Sequence, residues 1–211
     1  MAGSDSSGDA IFKLYRYDPS MAAAVIFIVL FIAITGLHGY QLIVTKTWFF
    51  TCFVIGGFMQ IIGYVGRAVS STESPNWTVK PYIVQTLLLL ISPALFAASI
   101  YMILGRIILV TDGESCSPIR RIWLTKFFRY LLVLYIVAGL IMVRSLFRLI
   151  EYAQGNSGYL ISHEAYLYIF DSVLMFLTMI LFAWEHPSQL NAKLQGGGTA
   201  VRRGIQLYWE K

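Results

Sequence analysis

The chain has 211 residues, of which 57% are hydrophobic and only 13% are charged. This composition is too apolar for an ordinary water-soluble domain and indicates a chain that lies in a membrane. The formal net charge of +5 comes from Lys and Arg residues beside apolar stretches. That placement is typical of helix ends at a membrane surface and argues against a nucleic-acid-binding face.

Three clear membrane spans are predicted in the first half of the chain. A helix that crosses ~30 Å of hydrocarbon needs about 20 apolar residues and satisfies its own backbone hydrogen bonds. Residues 21–43 and 48–66 meet this requirement on either side of a tight turn at 45–47. Residues 82–104 form the third span, which should bend at Pro93 because proline removes a helix hydrogen bond.

The fourth span is harder to place because charges interrupt it. Within the stretch 127–143, only 130–143 is free of charge, and a helix of that length rises only ~21 Å. We therefore expect Arg129 and Arg144 to extend in opposite directions toward the two membrane surfaces. The basic residues of 119–129 fit either a helix lying on the membrane surface or the basic end of the span itself.

The fifth span, 165–184, completes an all-α integral membrane protein with about five transmembrane helices. It contains Asp171 and ends before Pro187, which cannot continue a helix. A run of three glycines near the C-terminus indicates a flexible tail. The expected organisation is a partly disordered N-terminal tail, a multi-span membrane domain and a C-terminal tail, at residues 1–20, 21–186 and 187–211.

The distribution of basic residues predicts the orientation of the chain. Ten of the 16 Lys and Arg residues fall on the side of the C-terminal tail, and six fall on the other side. Because cytoplasmic loops are rich in basic residues, we expect an outside or lumenal N-terminus and a cytoplasmic C-terminus. Asn76 begins an Asn-Trp-Thr sequon in an outer loop and is a glycosylation candidate.

Polar side chains inside membrane spans are costly and therefore indicate function. Gln60, Tyr64 and Arg67 share one face of the second span, and Gln60 and Asp171 lie at similar depth, ~10 Å below the outer surface. With other polar residues near the outer rim, they predict an outward-opening site for a zwitterionic or amino-bearing head group. The predicted site consists of Gln60, Tyr64, Arg67, Gln85, Arg144, Arg148, Glu151 and Asp171.

A purely structural role for these charges is the alternative. Asp171 would then pair with Arg144 or Arg148 only to hold two helices together. Arg148 and Glu151 are three residues apart, which makes them natural partners on one helix. The sequence leaves both interpretations open.

The inner part of the first span holds two further polar residues, His38 and Gln41. A single buried histidine more often packs with a hydrogen bond than binds a ligand. The three histidines form no metal-binding pair, and no phosphate-binding loop or nucleophile elbow is present. We therefore expect no enzyme activity, metal or cofactor. Cys52 and Cys116 are not placed to form a disulfide framework.

Several segments, taken in order, resemble one family. They include 17–20 (YDPS), 35–38 (TGLH), 60–67 (QIIGYVGR), 92–102 (SPALFAASIYM), 144–152 (RSLFRLIEY) and 168–171 (YIFD). Over about residues 15–190 the chain is similar to the fungal lipid-translocating exporter family, also called the aminocholesterol-resistance family. The resemblance implies seven spans, an outside N-terminus, an inside C-terminus and placement at the plasma membrane or an endomembrane. It also implies export or flipping of sphingoid bases, resistance to toxic amphiphiles and, in some members, haem or porphyrin movement.

Two departures from the family pattern stand out. The family usually has Glu where this chain has Gln60. After residues 127–128 the chain passes directly to 129–131, which resembles the start of the family's sixth span. The fourth and fifth spans are therefore expected to be missing, through splicing, a gene-model error or degeneration of a paralogue. Loss of an even number of spans leaves the orientation of the remaining ones unchanged.

The expected function is export or translocation of amphipathic lipids, sphingoid-base-like molecules or toxic amphiphiles. The alternative is a non-transporting membrane sensor, a partner subunit or an inactive truncated exporter. Expected partners are membrane lipids or amphipathic small molecules, and a homo- or hetero-oligomer with a full-length relative is the further possibility. Nucleic acid is not expected as a partner.

Overall fold

The computed structural model describes residues 20–72, 79–112, 121–154, 164–188, 192, 198–202 and 205–209. Four long helices come first, with a short 3-10 turn at Trp48–Phe50 leading into the second; they are α1 (Met21–Thr45), α2 (Thr51–Thr72), α3 (Val79–Asp112) and α4 (Arg121–Gln154). The last helical run has three parts: α5 (Glu164–Leu167), a π turn (Tyr168–Val173) and α6 (Leu174–Trp184). Two strands follow, β1 (Gly198–Arg202) and β2 (Ile205–Trp209).

The helices have the length and composition of membrane spans. Four of them are long and apolar enough to cross a bilayer, and the run Tyr168–Trp184 is a shorter apolar helix. The prediction of an all-α membrane protein with about five spans is confirmed. After the last helix, β1 and β2 pair antiparallel, with Gly198 opposite Trp209, and β1 contacts α1. This short hairpin lies in the tail, for which the sequence predicted flexibility.

The ends of α1 follow from local chemistry. The Ser20 hydroxyl accepts a hydrogen bond from the backbone N–H of Ala23 and caps the start of the helix. At the other end Lys46 adopts a left-handed conformation with φ of 52°, which closes the tight turn into α2. We call the two ends of the bundle the Ser20 end and the Lys46 end.

The fourth span differs from its prediction. Instead of a short segment with an arginine at each border, α4 is one continuous helix of 34 residues. Arg144 does not extend toward a membrane surface, because its side chain is only 2% exposed and lies inside the bundle. Residues 121–129 continue directly into the span, which favours the basic-end interpretation over a separate surface helix. Arg129 forms an ion pair of 3.1 Å with Glu185 at the Lys46 end.

The second helix lies at the centre of the packing. A Cβ atom added at Gly56 would lie 2.7 Å from the Phe96 ring of α3, and one at Gly57 would lie 2.6 Å from the hydroxyl of Thr35 in α1. Glycine is therefore required for these close approaches. By contrast, α3 contacts α4 much less than it contacts α2, and α4 packs mainly on α6.

Candidate functional site

A buried carboxylate holds α4 and the π turn together. Asp171 is 0% exposed. Its Oδ1 accepts from Nε of Arg144, and its Oδ2 accepts from Nη2 of Arg148. Nη1 of Arg148 donates to Glu151 Oε2 at 3.0 Å. Each oxygen of the buried carboxylate therefore has a guanidinium partner, which offsets the large desolvation cost of the charge.

We call Asp171, Arg144, Arg148 and Glu151 the Asp171 cluster. Arg144 also links this cluster to α3. Its Nη2 donates to the backbone carbonyl of Leu89. In a regular helix that carbonyl would accept from the N–H four residues later, but residue 93 is a proline and has no N–H. Pro93 thus leaves an acceptor within α3, and Arg144 satisfies it. The helix itself runs through Pro93 without interruption.

Two tyrosines extend the polar contacts to α2. Nε of Arg67 donates to the Tyr168 hydroxyl at 3.0 Å, and its guanidinium lies 4.9 Å from the centre of the Tyr168 ring. The Tyr64 hydroxyl is hydrogen-bonded to the Ser172 hydroxyl. Arg67 and Tyr64 are both buried. These contacts connect α2 to the same π turn that carries Asp171.

The π turn explains why one short segment supplies three inward polar groups. Tyr168, Asp171 and Ser172 are all buried, although Asp171 and Ser172 are consecutive. In a regular α-helix, consecutive side chains point ~100° apart, and the wider turn changes this pattern locally. Single π turns inside α-helices occur frequently at functional sites.

An apolar groove between α3 and α4 ends at this cluster. Its section nearer the Ser20 end has a volume of about 420 Å³ and is lined by both arginines of the Asp171 cluster, with Ser145, Tyr152 and apolar side chains. A second section of about 350 Å³ continues toward the Lys46 end and is almost entirely apolar. Both sections contact Ala97 and Ile141, so they adjoin. Exposed residues such as Leu149 and Tyr135 lie along its edges, so the groove opens toward the outside of the bundle.

The structure gathers most, but not all, of the residues predicted as a site. Six of them form the hydrogen-bonded set described above: Tyr64, Arg67, Arg144, Arg148, Glu151 and Asp171. Gln60 and Gln85 are also buried. Among the described residues, the Nε2 and Oε1 of Gln60 and the Oε1 of Gln85 have no hydrogen-bond partner. Asn76 lies outside the described residues. Tyr168, Ser172 and the Leu89 carbonyl were missed by the sequence prediction.

The two inner polar residues lie in a separate place, near the Lys46 end. Nε2 of His38 contacts the Met179 carbonyl at 3.0 Å, and the Gln41 amide donates to the Ala183 carbonyl at 3.5 Å. The ring of His186 lies 6.4 Å from that of His38. Burial lowers the pKa of His186 to about 3, and the neighbouring His38 adds to this shift. Among the described residues, no three His, Cys, Asp or Glu side chains gather as a metal site.

Comparison with known proteins gives one family and several curated relatives. The model of the family described as RTA1 like protein matches residues 53–131 and 126–193. The chain is 28% identical to protoporphyrin uptake protein 1 of Saccharomyces cerevisiae, over 84% of this chain and 93% of that protein. It is 28% identical to protein RTM1, over 84% and 92%, and 26% identical to protein RTA1, over 83% and 85%, both from S. cerevisiae. No solved structure matches the chain.

These matches also indicate an internal difference from the relatives. The two family matches overlap at residues 126–131, near the start of α4. The similarity to protoporphyrin uptake protein 1 extends over 284 aligned positions, more than the 211 residues of this chain. That relative therefore has residues without a counterpart here. The overlap places the difference in the first turns of α4, at the point in the chain where the sequence predicts two missing spans.

Proposed function

Because the chain belongs to the RTA1 like protein family, whose model matches more than half of its residues, we propose that it is a membrane transporter for amphipathic molecules. The cargo would be an amphipathic lipid, a sphingoid-base-like molecule or a toxic amphiphile. Its alkyl part would lie in the α3–α4 groove, and its head group would contact the polar cluster at the Ser20 end.

One observation carries this proposal. The groove is apolar along most of its length and ends at two arginines that are held in place by a buried carboxylate. An amphiphile has the same division into an apolar part and a polar part. Pockets of several hundred Å³ with mostly apolar walls and a few fixed polar groups are the usual form of small-molecule sites. The cluster would therefore bind ligand as well as join helices.

The named relatives support transport as the kind of activity. One of them is called a protoporphyrin uptake protein, which is a name for movement of an organic molecule across a membrane. The excess of basic residues on the C-terminal side supports a cytoplasmic C-terminus. In that orientation the Ser20 end, with the Asp171 cluster, faces outward or toward the lumen, in the plasma membrane or an endomembrane.

Transport by the purified chain in liposomes tests the proposal. We would measure movement of a fluorescent sphingoid base and a fluorescent fatty acid from one leaflet to the other. Ala97→Phe fills the point where the two groove sections meet, so it should slow movement several-fold. Ala33→Phe, on an exposed face of α1, is the matched control and should not. If liposomes with the wild-type chain move neither molecule faster than empty liposomes, transport by this chain alone is refuted.

A partner role is the second candidate, favoured by the internal difference from the relatives. A chain without part of the family architecture would bind a full-length relative and change its activity. Co-purification of the tagged chain with a seven-span relative from native membranes would support this role. Transport by the chain alone in liposomes, without any co-purifying relative, would exclude it.

A further inference from the structure

We propose that the α3–α4 groove binds an amphiphile whose head group is an anion, a carboxylate or a phosphate. This inference rests on the proposed function and narrows its ligand class. It departs from the zwitterionic or amino-bearing head group that the sequence predicted. The occupant to which it commits is a lipid-like molecule with one alkyl chain and a negatively charged end.

The charges on the groove wall carry the inference. Arg144 and Arg148 line the section at the Ser20 end, whereas neither Asp171 nor Glu151 is among its lining residues. Asp171 is fully buried and already accepts from both arginines. A head group that enters the groove therefore meets guanidinium groups first. An ammonium group there would face two cations, while an anion would gain charge-assisted hydrogen bonds.

Arg148 has a donor left for such a ligand. Its Nη1 and Nη2 donate to Glu151 and Asp171, but its Nε has no hydrogen-bond partner among the described residues. The side chain is 11% exposed, so it is almost entirely removed from solvent yet lies on the wall of an open groove. A buried donor without an acceptor is costly. The Nε atom is itself buried, so an anionic oxygen would satisfy it once the Arg148 side chain shifts toward the groove.

The remainder of the groove fits an alkyl chain. Its wall on α3 extends from Leu90 to Leu104, a rise of ~21 Å along the helix. That exceeds the half-thickness of a hydrocarbon core of ~30 Å, which is the depth that a lipid tail of one leaflet reaches. Beyond the arginine section, the lining is almost entirely aliphatic and aromatic. The tail would run from the arginines toward the Lys46 end.

Two photoreactive probes with the same alkyl chain and different head groups test the inference. One carries a carboxylate and the other a primary amine, and both are charged at pH 8. The full chain in phosphatidylcholine liposomes would be cross-linked, and labelled residues on α3 and α4 would be located by mass spectrometry. A charge-assisted hydrogen bond predicts roughly ten-fold stronger labelling of the groove by the carboxylate probe.

A substitution in the groove wall supplies an independent comparison. Ser145 is exposed and lines the groove, and its hydroxyl donates to the Ile141 carbonyl of its own helix. Ser145→Glu adds a negative charge beside the arginines without removing a cluster residue and should abolish the preference. Ser145→Gln introduces a neutral side chain of the same size as Glu and should keep the preference for the carboxylate probe.

The outcomes separate this inference from the proposed function. If both probes label the groove equally, or the amine labels it more strongly, the anionic ligand is refuted while an amphiphile site remains. If neither probe labels the groove above the exposed face of α1, both the inference and the groove as a ligand site are refuted. The comparison of the two probes on the wild-type chain needs no variant, so it holds even if Ser145→Glu fails to fold.

Discussion

Neutralising the buried carboxylate is the sharpest test of the charged cluster. Asp171→Asn keeps the shape of the side chain, but its amide can offer only one acceptor where Arg144 and Arg148 now find two. The amide nitrogen would then face a guanidinium, donor against donor. Removing one member of a buried ion pair leaves an uncompensated charge and costs ~3–5 kcal/mol. We expect a loss of this order in the free energy of unfolding.

This loss is measured by comparing the unfolding of the wild-type protein and the variant in detergent. Glu151→Gln is the matched control, because Glu151 contacts only Arg148 in the cluster, whereas Asp171 accepts from both arginines. Its loss should be smaller, ~1–2 kcal/mol, because Arg148 loses one charged partner but keeps its ion pair with Asp171. The two arginines should also show non-additive effects with Asp171 in double-mutant cycles. A change below ~1 kcal/mol for Asp171→Asn, within the range of an exposed pair, would refute the view that this carboxylate compensates both arginines.

Three further predictions concern packing, the proline and pH. Gly56→Ala should cost ~1–3 kcal/mol by overpacking, whereas Gly139→Ala, where an added Cβ meets nothing within 4 Å, should be neutral or slightly stabilising; thermal unfolding compares them. Pro93→Ala supplies an N–H for the Leu89 carbonyl, which Arg144 now satisfies. In that background Arg144→Gln should lower the free energy of unfolding by ~1 kcal/mol less than in the wild-type chain. Equal losses in the two backgrounds would contradict the shared acceptor. Burial lowers the pKa of His186 from 6.5 to about 3, so folding favours the neutral imidazole. The free energy of unfolding should therefore be highest above pH ~6.5 and fall as the pH drops toward 3, by at most ~2 kcal/mol at pH 5. In His186→Gln this pH dependence should be flatter.

The first three spans could be predicted from the sequence because their charge-free stretches are long. The fourth could not be bounded in this way, since Arg144 resembles a span border when only its neighbours in the chain are considered. Its partner Asp171 lies in another helix, and hydropathy does not detect pairing between helices. The sequence offered pairing of Asp171 with Arg144 or Arg148 as one of two interpretations, and only the folded bundle shows that Arg144 is compensated inside the span.

Local sequence patterns predicted some residues of the site and missed others. Tyr64 and Arg67 were predicted because regular helical spacing places them on one face. Ser172 was missed because the π turn changes the direction of side chains that a 3.6-residue period assigns. The Leu89 carbonyl is a backbone group, so only the combination of Pro93 with a distant arginine could have indicated it. The groove depends on the separation of α3 and α4, which no local pattern encodes.

The contact between Arg144 and the backbone beside Pro93 has an evolutionary consequence. A proline and an arginine that are far apart in the chain share one acceptor, so a substitution at either position changes which residues the other can tolerate. A descendant that loses the proline would be released from selection for a long cationic donor at residue 144. The two positions are therefore expected to vary together among related sequences.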